Sequence, residues 1–343
     1  MAIGIAIGIA VVLAPGVARA DAPGPTDYRT TIVSVTPETA GLAVSIEGGD
    51  AFVRLSAPAG SEVIVFGYAG ESYLRFAPDG TIAENRLSAT TYENRNRFGS
   101  PEVPPFVDHT AAPEWHEIGS GGVWAWHDHR SHWMLPDPPI GLDPGESLPA
   151  AAIPITVDGR PVDIIVETTL IAAPSWWPTA LGLLIGLQLA LVGWWLGPAT
   201  VTSITIVVSL AATVTGAGQF LSLPSETGPL HLWWLMPAVA LVSGLAAVAV
   251  YGRSDLLVRG LLALSGAQLF VWALMRRAVF THPVLPTDIA FWFDRAATGG
   301  ALAAGGVVCL LAIRSLLAPA PAPTRRLVPG RSADRSLRSF SFR

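Results

Sequence analysis

The sequence contains no lysine and a single cysteine, Cys309, among its 343 residues. All 21 basic residues are therefore arginine, and against 26 acidic residues they leave a formal net charge of −5 at pH 7. This mildly acidic balance argues against a nucleic-acid-binding surface, which needs clustered cations. A lone cysteine excludes an internal disulfide, so an exported domain of this chain must be held together by a packed core.

Charged residues are scarce as well, at 14% of the sequence, whereas 51% of residues are hydrophobic and the mean hydropathy is +0.47. That composition excludes an ordinary soluble globular protein of this length. The hydrophobic excess lies mainly in the second half of the chain. We therefore predict a membrane protein with one water-exposed domain. The lipid bilayer is an expected partner of this protein.

The common catalytic signatures are also missing. The sequence has no G-x-S-x-G element, no H-E-x-x-H element, no P-loop and no Rossmann glycine pattern. We therefore predict that the chain is not an enzyme.

The first twenty residues have the features of a secretory signal peptide. Residues 2–18 are almost wholly apolar and lead to the small-x-small site Ala18-Arg19-Ala20. This pattern predicts a signal peptide at 1–20 with cleavage after Ala20. The segment before the apolar run carries no basic side chain, which leaves an uncleaved anchor as the alternative.

Residues 21–175 show the pattern of an all-β domain. Short runs rich in β-branched and apolar residues, such as 30–35, 42–46 and 63–68, are separated by glycine, proline and aspartate turns. This spacing predicts an immunoglobulin-like β-sandwich, exported to the outer side of the membrane. Residues 81–120 are predicted to be a long irregular connection that packs against the domain.

Five apolar segments follow, and each is long enough to cross a bilayer. They are 178–196, 200–222, 232–252, 256–275 and 297–317. They predict an α-helical transmembrane bundle of about five helices within residues 176–318. Tryptophans cluster near the segment ends, as in interfacial aromatic belts.

The remaining segment, 319–343, is a basic tail with six arginines and one acid. By the positive-inside rule it predicts a multi-pass protein of the cell membrane with a cytoplasmic C-terminus and an extracytoplasmic N-terminal domain. Three arginines in the connection after the fourth span oppose that rule. They share the connection with Asp288 and Asp294, which predicts local ion pairing.

The highest density of metal-binding side chains lies in residues 124–134, whose sequence is WAWHDHRSHWM. Three of the seven histidines of the chain fall there within six residues. If the stretch is a strand, His127 and His129 point to the same face. His132 joins them only if the strand bends or ends near Arg130.

Imidazole is the commonest protein ligand for metals; imidazole with carboxylate suits Cu(II) or Zn(II), whereas a thioether favours Cu(I). The stretch therefore predicts a metal site in which His127 and His129 are ligands. His132, Asp128 or Met134 would complete or orient it. Copper is the expected ion and zinc the alternative. The predicted function is copper handling or copper resistance. Other copper-handling proteins of the envelope are the expected protein partners.

Two other interpretations of the stretch stay open. In one, the histidines and Asp128 form a structural network in an aromatic surface that docks the sandwich on the bundle or on a partner, and the chain is a non-catalytic envelope protein. In the other, the clustered histidines sense pH. The remaining histidines, taken singly, are each read as surface or hydrogen-bonded residues; they are His109, His116, His231 and His282.

The architecture resembles that of the CopC–CopD copper-resistance fusions, in which an exported sandwich binds copper through histidine and an Asp-x-His element. Asp128-His129 with His127 loosely resembles that element, without its spacing, and the resemblance implies copper binding outside the membrane. The chain departs from that pattern in two respects: the expected mature terminus, Asp21-Ala22-Pro23, has no histidine, and five spans are fewer than CopD has.

Three runs in the exported domain also resemble a family of uncharacterised actinobacterial membrane proteins. They are YLRF followed by DG in 73–80, TY followed by NR in 91–95, and WHDHRxHWM in 126–134. This second resemblance implies no established activity.

Overall fold

The computed structural model describes residues 23–97, 102–135 and 137–317. Within these ranges the chain forms an antiparallel β-sandwich followed by five long apolar helices. The predicted fold class is therefore confirmed. The expected signal peptide at 1–20 and the basic tail at 319–343 lie outside the described residues.

The described residues of the sandwich form ten strands. Their bounds are β1 Tyr28–Thr36, β2 Ala43–Glu47, β3 Phe52–Ser56, β4 Val63–Phe66, β5 Ser72–Phe76, β6 Ile82–Asn85, β7 Trp115–Gly119, β8 Val123–Trp126, β9 Ala151–Val157 and β10 Arg160–Leu170. One sheet has the order β1-β10-β9-β4-β5-β6-β7 and the other has the order β2-β3-β8. This division is less even than the four and three strands of an immunoglobulin constant domain.

The core of the sandwich lies between the two sheets. Strand β10 shows why: its residues alternate, so that Val162, Ile164 and Val166 are buried while their neighbours are more exposed. They belong to one apolar cluster with Val53 and Leu55 of the smaller sheet. Burying each such side chain contributes about 1.5–3 kcal/mol, which explains how a domain without a disulfide is stabilised.

The segment 81–120 is more regular than its sequence indicates. Its described residues include β6, β7 and a short helix, α1 (Thr90–Glu93), so the expectation of an irregular connection is wrong for these three elements. Strand β7 is the edge of the larger sheet and has no fully buried residue. Because an edge strand needs no apolar face, its sequence lacks the alternation by which a strand is recognised.

The five long helices are α2 (Trp177–Leu196), α3 (Pro198–Leu221), α4 (Leu232–Ala249), α5 (Asp255–Met275) and α6 (Phe291–Leu317). All five have the length and hydropathy needed to cross a bilayer, and the chain is a multi-pass membrane protein. Helix α6 begins six residues before the predicted span at 297. Its first turn carries Asp294 and Arg295, which lower the local hydropathy but are buried and bonded inside the protein.

The sandwich rests directly on the loop between α5 and α6. The backbone groups of Thr26 and Val284 form two hydrogen bonds, with N–O distances of 2.9 and 3.1 Å. Next to them, Nδ1 of His282 lies 2.8 Å from Oδ1 of Asp27. The start of the sandwich is thus joined to the same side of the bundle as its covalent link at Trp177.

Candidate metal centre

A tight turn immediately after β8 shapes the histidine-rich stretch. Strand β8 ends at Trp126, and a 3-10 turn spans His129–Ser131. The side chain of Asp128 caps that turn, since its Oδ1 accepts a hydrogen bond from the backbone N–H of Arg130 at 3.0 Å. The strand therefore ends before the histidines begin, and the turn returns His132 towards His127.

The turn brings three imidazoles together. One nitrogen from each of His127, His129 and His132 lies within 4.8 Å of the other two. Their ring centroids are 4.3 Å apart for 127 and 132, 5.3 Å for 127 and 129, and 5.4 Å for 129 and 132. His132 therefore belongs to the group. It can do so because β8 ends at Trp126, before Arg130, where a strand end or bend was needed for His132 to join the other two rings.

Two of the rings are oriented by backbone carbonyl groups. His127 Nδ1 lies 2.7 Å from the carbonyl oxygen of Ala51, and His129 Nε2 lies 2.9 Å from that of Asn96. A carbonyl oxygen can only accept, so each of these nitrogens carries the ring proton. The other nitrogen of each ring keeps its lone pair, which is the arrangement usual for metal-binding histidines.

His127 and His132 approach each other most closely, with 2.6 Å between their Nε2 atoms. Because Nδ1 of His127 is protonated, its Nε2 accepts and Nε2 of His132 donates. For both Nε2 atoms to bind one metal ion, neutral His132 would have to carry its ring proton on Nδ1 instead of Nε2. Bonds of about 2.0–2.1 Å hold two ligand nitrogens roughly 3–4 Å apart, so the two rings would separate by about 1 Å on binding.

The surroundings keep two of the rings neutral. His127 and His132 are 4% and 5% exposed. Burial lowers the pKa of His127 to about 3, and burial together with the neighbouring His127 ring lowers the pKa of His132 to about 2. Both rings are therefore neutral at neutral pH, and each keeps one nitrogen lone pair, as metal binding requires.

A buried ion pair stands beside the histidines. Asp50, which precedes Ala51, forms a salt bridge with Arg97, and both side chains are almost fully buried. Oδ2 of Asp50 also accepts a hydrogen bond from the hydroxyl of Thr26 at 3.1 Å. The histidine cluster is thus connected through Asp50 and Thr26 to the contact between sandwich and bundle.

Asp128 and Met134 were also predicted from the sequence to complete or orient the site, but neither belongs to the group of three converging histidines. The buried carboxylate of Asp128 accepts hydrogen bonds from Arg130 Nε and Nη2, both at 2.8 Å, and from Trp126 Nε1 at 3.1 Å. Burial alone would raise the pKa of Asp128, but the bonds from Arg130 lower it, so the group is a carboxylate. Met134 is half-buried two residues beyond His132.

The four remaining histidines lie outside this cluster. His109 and His116 are exposed. His231 packs against Phe220, with ring centroids 4.8 Å apart, and His282 contacts Asp27 as described above. Among the described residues, the only group of three or more histidine, cysteine or acidic side chains placed to share one ion is the cluster of His127, His129 and His132.

Several residues that shape the site carried no functional signal in the sequence. The backbone N–H of His129 donates to the hydroxyl of Tyr68 at 2.8 Å, and the two rings stack with centroids 5.7 Å apart. Burial raises the pKa of Tyr68, so its hydroxyl stays protonated and donates to Asn94. Asn96 lies in the segment 81–120, which the sequence predicts to pack against the domain. The contact of Ala51 is made by its backbone carbonyl group, which a pattern of side chains does not reveal.

Comparison with protein-family models, with curated proteins and with solved structures gives no match to this chain.

Proposed function

We propose that the chain is a membrane-anchored metal-binding protein whose sandwich holds a copper ion through His127, His129 and His132. The observation that carries this proposal is the convergence of three imidazole nitrogens within 4.8 Å of one another. Carbonyl acceptors on two of the rings add to it, because each leaves the other nitrogen of its ring with a lone pair. In this proposal Asp128 acts as a positioning residue, since it holds the turn that carries two of the ligands.

The charge of the site favours copper over zinc. Asp128, the carboxylate nearest in sequence, is already bonded to Arg130, and the other nearby acid, Asp50, is already paired with Arg97. The ligands themselves are then neutral. A monovalent ion costs less to bury among neutral ligands than a divalent ion, and a thioether from Met134 would further favour Cu(I). We expect Cu(I) to bind more tightly than Zn(II).

The proposal places the copper site outside the cytoplasm. The basic tail and the expected signal peptide support a sandwich on the extracytoplasmic side of the cell membrane. The chain would then handle copper at the outer face, alone or with other copper-handling envelope proteins. The site lies at the end of the sandwich next to the bundle, because its Asp50–Thr26 connection reaches Val284.

Metal analysis of the purified full-length chain tests this proposal. The protein, in detergent, is loaded separately with Cu(I), Cu(II) and Zn(II) and then dialysed. We expect one copper per chain, lost in His127→Ala and His132→Ala and weakened in His129→Ala. His116→Ala is the matched control, because this exposed histidine of the same domain lies outside the cluster. A chain that retains no metal before substitution would rule the proposal out.

A second candidate function is supported by the contact between His127 and His132. Their 2.6 Å hydrogen bond gives the Nε2 atom of each ring a partner without any metal ion. Strand β8 also lies against the short turn Ser225–Thr227 of the bundle. In this alternative the stretch is a structural network that docks the sandwich on the bundle, and the chain is a non-catalytic envelope protein.

The same variants separate the two candidates. If the network is purely structural, His127→Ala loosens the sandwich from the bundle whether or not metal is present, and added copper changes nothing. If the site binds copper, the metal raises the thermal stability of the wild-type chain and leaves that of His127→Ala unchanged.

A further inference from the structure

A cavity of about 340 Å³ lies between helices of the bundle, apart from the histidine cluster. Its lining comes from the end of α2, the start of α3, the connection before α5, the start of α5 and the end of α6. The volume is within the range of about 300–1,000 Å³ that is usual for small-molecule sites. The cavity is therefore large enough to hold part of a ligand.

This cavity is at the end of the bundle that faces away from the sandwich. The sandwich contacts the loop between α5 and α6 through Thr26 and Val284, and β8 lies against the turn Ser225–Thr227 between α3 and α4. The cavity is lined instead by Gly197, which joins α2 to α3, and by Gly252, which lies between α4 and α5. Because each helix is long enough to cross the bilayer, these connections lie at the opposite ends of the same helices. The cavity thus lies at the level of the leaflet away from the sandwich.

The inner wall of the cavity is apolar. Val258 and Leu262 of α5 and Val308 of α6 line it, and all three side chains are buried. They belong to one apolar cluster together with Ala312. Such a wall favours hydrocarbon, because each Å² of apolar surface removed from water contributes about 25 cal/mol.

The rim of the cavity carries aromatic and charged side chains. Trp194 and Tyr251 line it and are about half exposed, as aromatic residues at the level of lipid headgroups are. Arg259 also lines the rim, and its Nη1 donates to the carbonyl oxygen of Ser315 at 2.8 Å. A guanidinium has five N–H donors, so Arg259 keeps donors with which it can bind a phosphate group.

Positive charge predominates at this end of the bundle. Among the described residues there, Arg253, Arg259 and Arg314 stand against one acid, Asp255, which lies on the rim, and all four are exposed. No ion pair within the described part of the chain joins Asp255 to any of these arginines. An anion complements this charge. The tail at 319–343 is a poor occupant, because its six arginines and one acid give it a charge of the same sign.

We propose that the cavity binds one anionic phospholipid of the leaflet away from the sandwich. An acyl chain would lie against Val258, Leu262 and Val308, and the phosphate would bind Arg259. A phospholipid is the occupant because it supplies both parts that the cavity complements, whereas a free phosphate would leave the apolar wall without a partner. Basic pockets between spanning helices bind anionic headgroups in this way. The proposal does not depend on metal binding.

Native mass spectrometry of the full-length chain tests this proposal. The protein in detergent is incubated with equal amounts of dioleoyl phosphatidylglycerol and dioleoyl phosphatidylcholine, which share their acyl chains and differ in headgroup charge. We expect one phosphatidylglycerol per chain to be retained in preference to phosphatidylcholine. Arg259→Gln should lower this retention about fivefold, the effect of one arginine beside an anionic lipid.

Arg314→Gln is the matched control, because it removes an exposed arginine from the same end of the bundle without changing the lining of the cavity. It should lower retention less than about twofold, since salt screens a charge that does not contact the phosphate. Ala312→Phe fills the cavity from its buried wall and should abolish retention of the lipid. Thermal unfolding shows whether Ala312→Phe folds, and the two arginine variants decide the question if it does not.

Several results would overturn the proposal. Equal retention of the two lipids would show that charge is not recognised, and equal losses in Arg259→Gln and Arg314→Gln would show that the surface charge acts without a site. Full retention by a folded Ala312→Phe would locate the lipid elsewhere. Displacement of the lipid by glycerol phosphate would mean that a phosphate group alone is bound. A wild-type chain that retains neither lipid would mean that the cavity is not a lipid site, as when the tail covers it.

Discussion

Nε2 of His127 lies 2.6 Å from Nε2 of His132, five residues further along the chain. A β-strand would hold two such side chains on opposite faces, so the contact exists only because β8 ends at Trp126 and a capped turn follows. The same contact is open to two chemistries. It is a complete hydrogen bond in the metal-free protein, and a pair of adjacent ligands if the ring proton of His132 moves to Nδ1 and a copper ion binds between the two Nε2 atoms.

The Asp128 carboxylate should be essential to the turn. In Asp128→Asn the charge that pairs with Arg130 is lost at a fully buried position, so we expect the free energy of unfolding to fall by about 3–5 kcal/mol. Glu62→Gln is the matched control: its salt bridge with Arg75 is about 40% exposed and should contribute less than about 1 kcal/mol. Chemical unfolding measures both, and equal effects in the two variants would contradict the assigned role.

The metal-free protein should lose stability on mild acidification. The folded-state pKa values of His127 and His132, about 3 and about 2, lie below the unfolded value of 6.5. Between pH 6.5 and these lower values the unfolded chain binds more protons than the folded one. The stabilisation is therefore complete above pH 6.5 and decreases as pH falls, by up to about 1.4 kcal/mol per pH unit for each ring.

Unfolding curves between pH 7.5 and 4.5, recorded with a chelator present, measure this slope. His132→Phe keeps an aromatic ring without a titrating group and should reduce the slope. If wild type and variant respond identically, other groups dominate acid unfolding.

A second buried ion pair should be a stability determinant of the bundle. The guanidinium of Arg276 donates to both carboxylate oxygens of Asp294, at 2.8 and 2.6 Å, and to Gln219; the side chains of the pair are 2% and 0% exposed. Arg276→Gln leaves a buried carboxylate without its cation, so we expect a loss of about 3–5 kcal/mol. Arg277→Gln, at the exposed neighbouring position, should change stability by about 0.5 kcal/mol or less.

Thermal unfolding in detergent compares the two arginine variants. Combining Arg276→Met with Asp294→Leu removes both charges and should recover most of the loss, as replacement of a buried pair by apolar residues often does. Failure of the double variant to recover would show that Gln219 or the tryptophan contacts of Arg276 matter more than the charge.

Close packing between α5 and α6 should make one glycine irreplaceable. A Cβ on Gly266 would lie 2.6 Å from the backbone nitrogen of Cys309 and 2.8 Å from the carbonyl oxygen of Gly305. Gly266→Ala should therefore cost about 1–3 kcal/mol through overpacking. Gly260→Ala, in the same helix and with nothing within 4 Å of the new Cβ, should be neutral or stabilising by up to about 1 kcal/mol. Melting temperatures of the two variants that move in the same direction would contradict this packing.

Local composition was enough to predict much of the architecture. Long apolar segments identify spanning helices because a helix satisfies its own backbone groups, and the five helices α2–α6 follow from that alone. The sandwich follows from alternation in strands such as β10, whose two faces differ in burial. The edge strand β7 was missed because neither of its faces is well buried.

The pairing of charges near the start of α6 was foreseen only in part. Asp294 was expected to neutralise an arginine in its own connection, and it does pair with Arg276. Asp288 was expected to share that role, but the described contact of Asp288 is a backbone hydrogen bond to Ser222. Which acid meets which arginine depends on how the helices cross, and no local pattern encodes this.

The sequence by itself determined the class of protein, the spans, and which three histidines were worth following, because these depend on composition and on neighbours along the chain. Only the tertiary structure decided that His132 joins His127 and His129, that Ala51 and Asn96 orient two of the rings, and that the carboxylate of Asp128 is bonded to Arg130. The physical reason is that ligand geometry and burial depend on segments far apart in sequence, such as residue 51 and residue 127, which meet only when the sheets close.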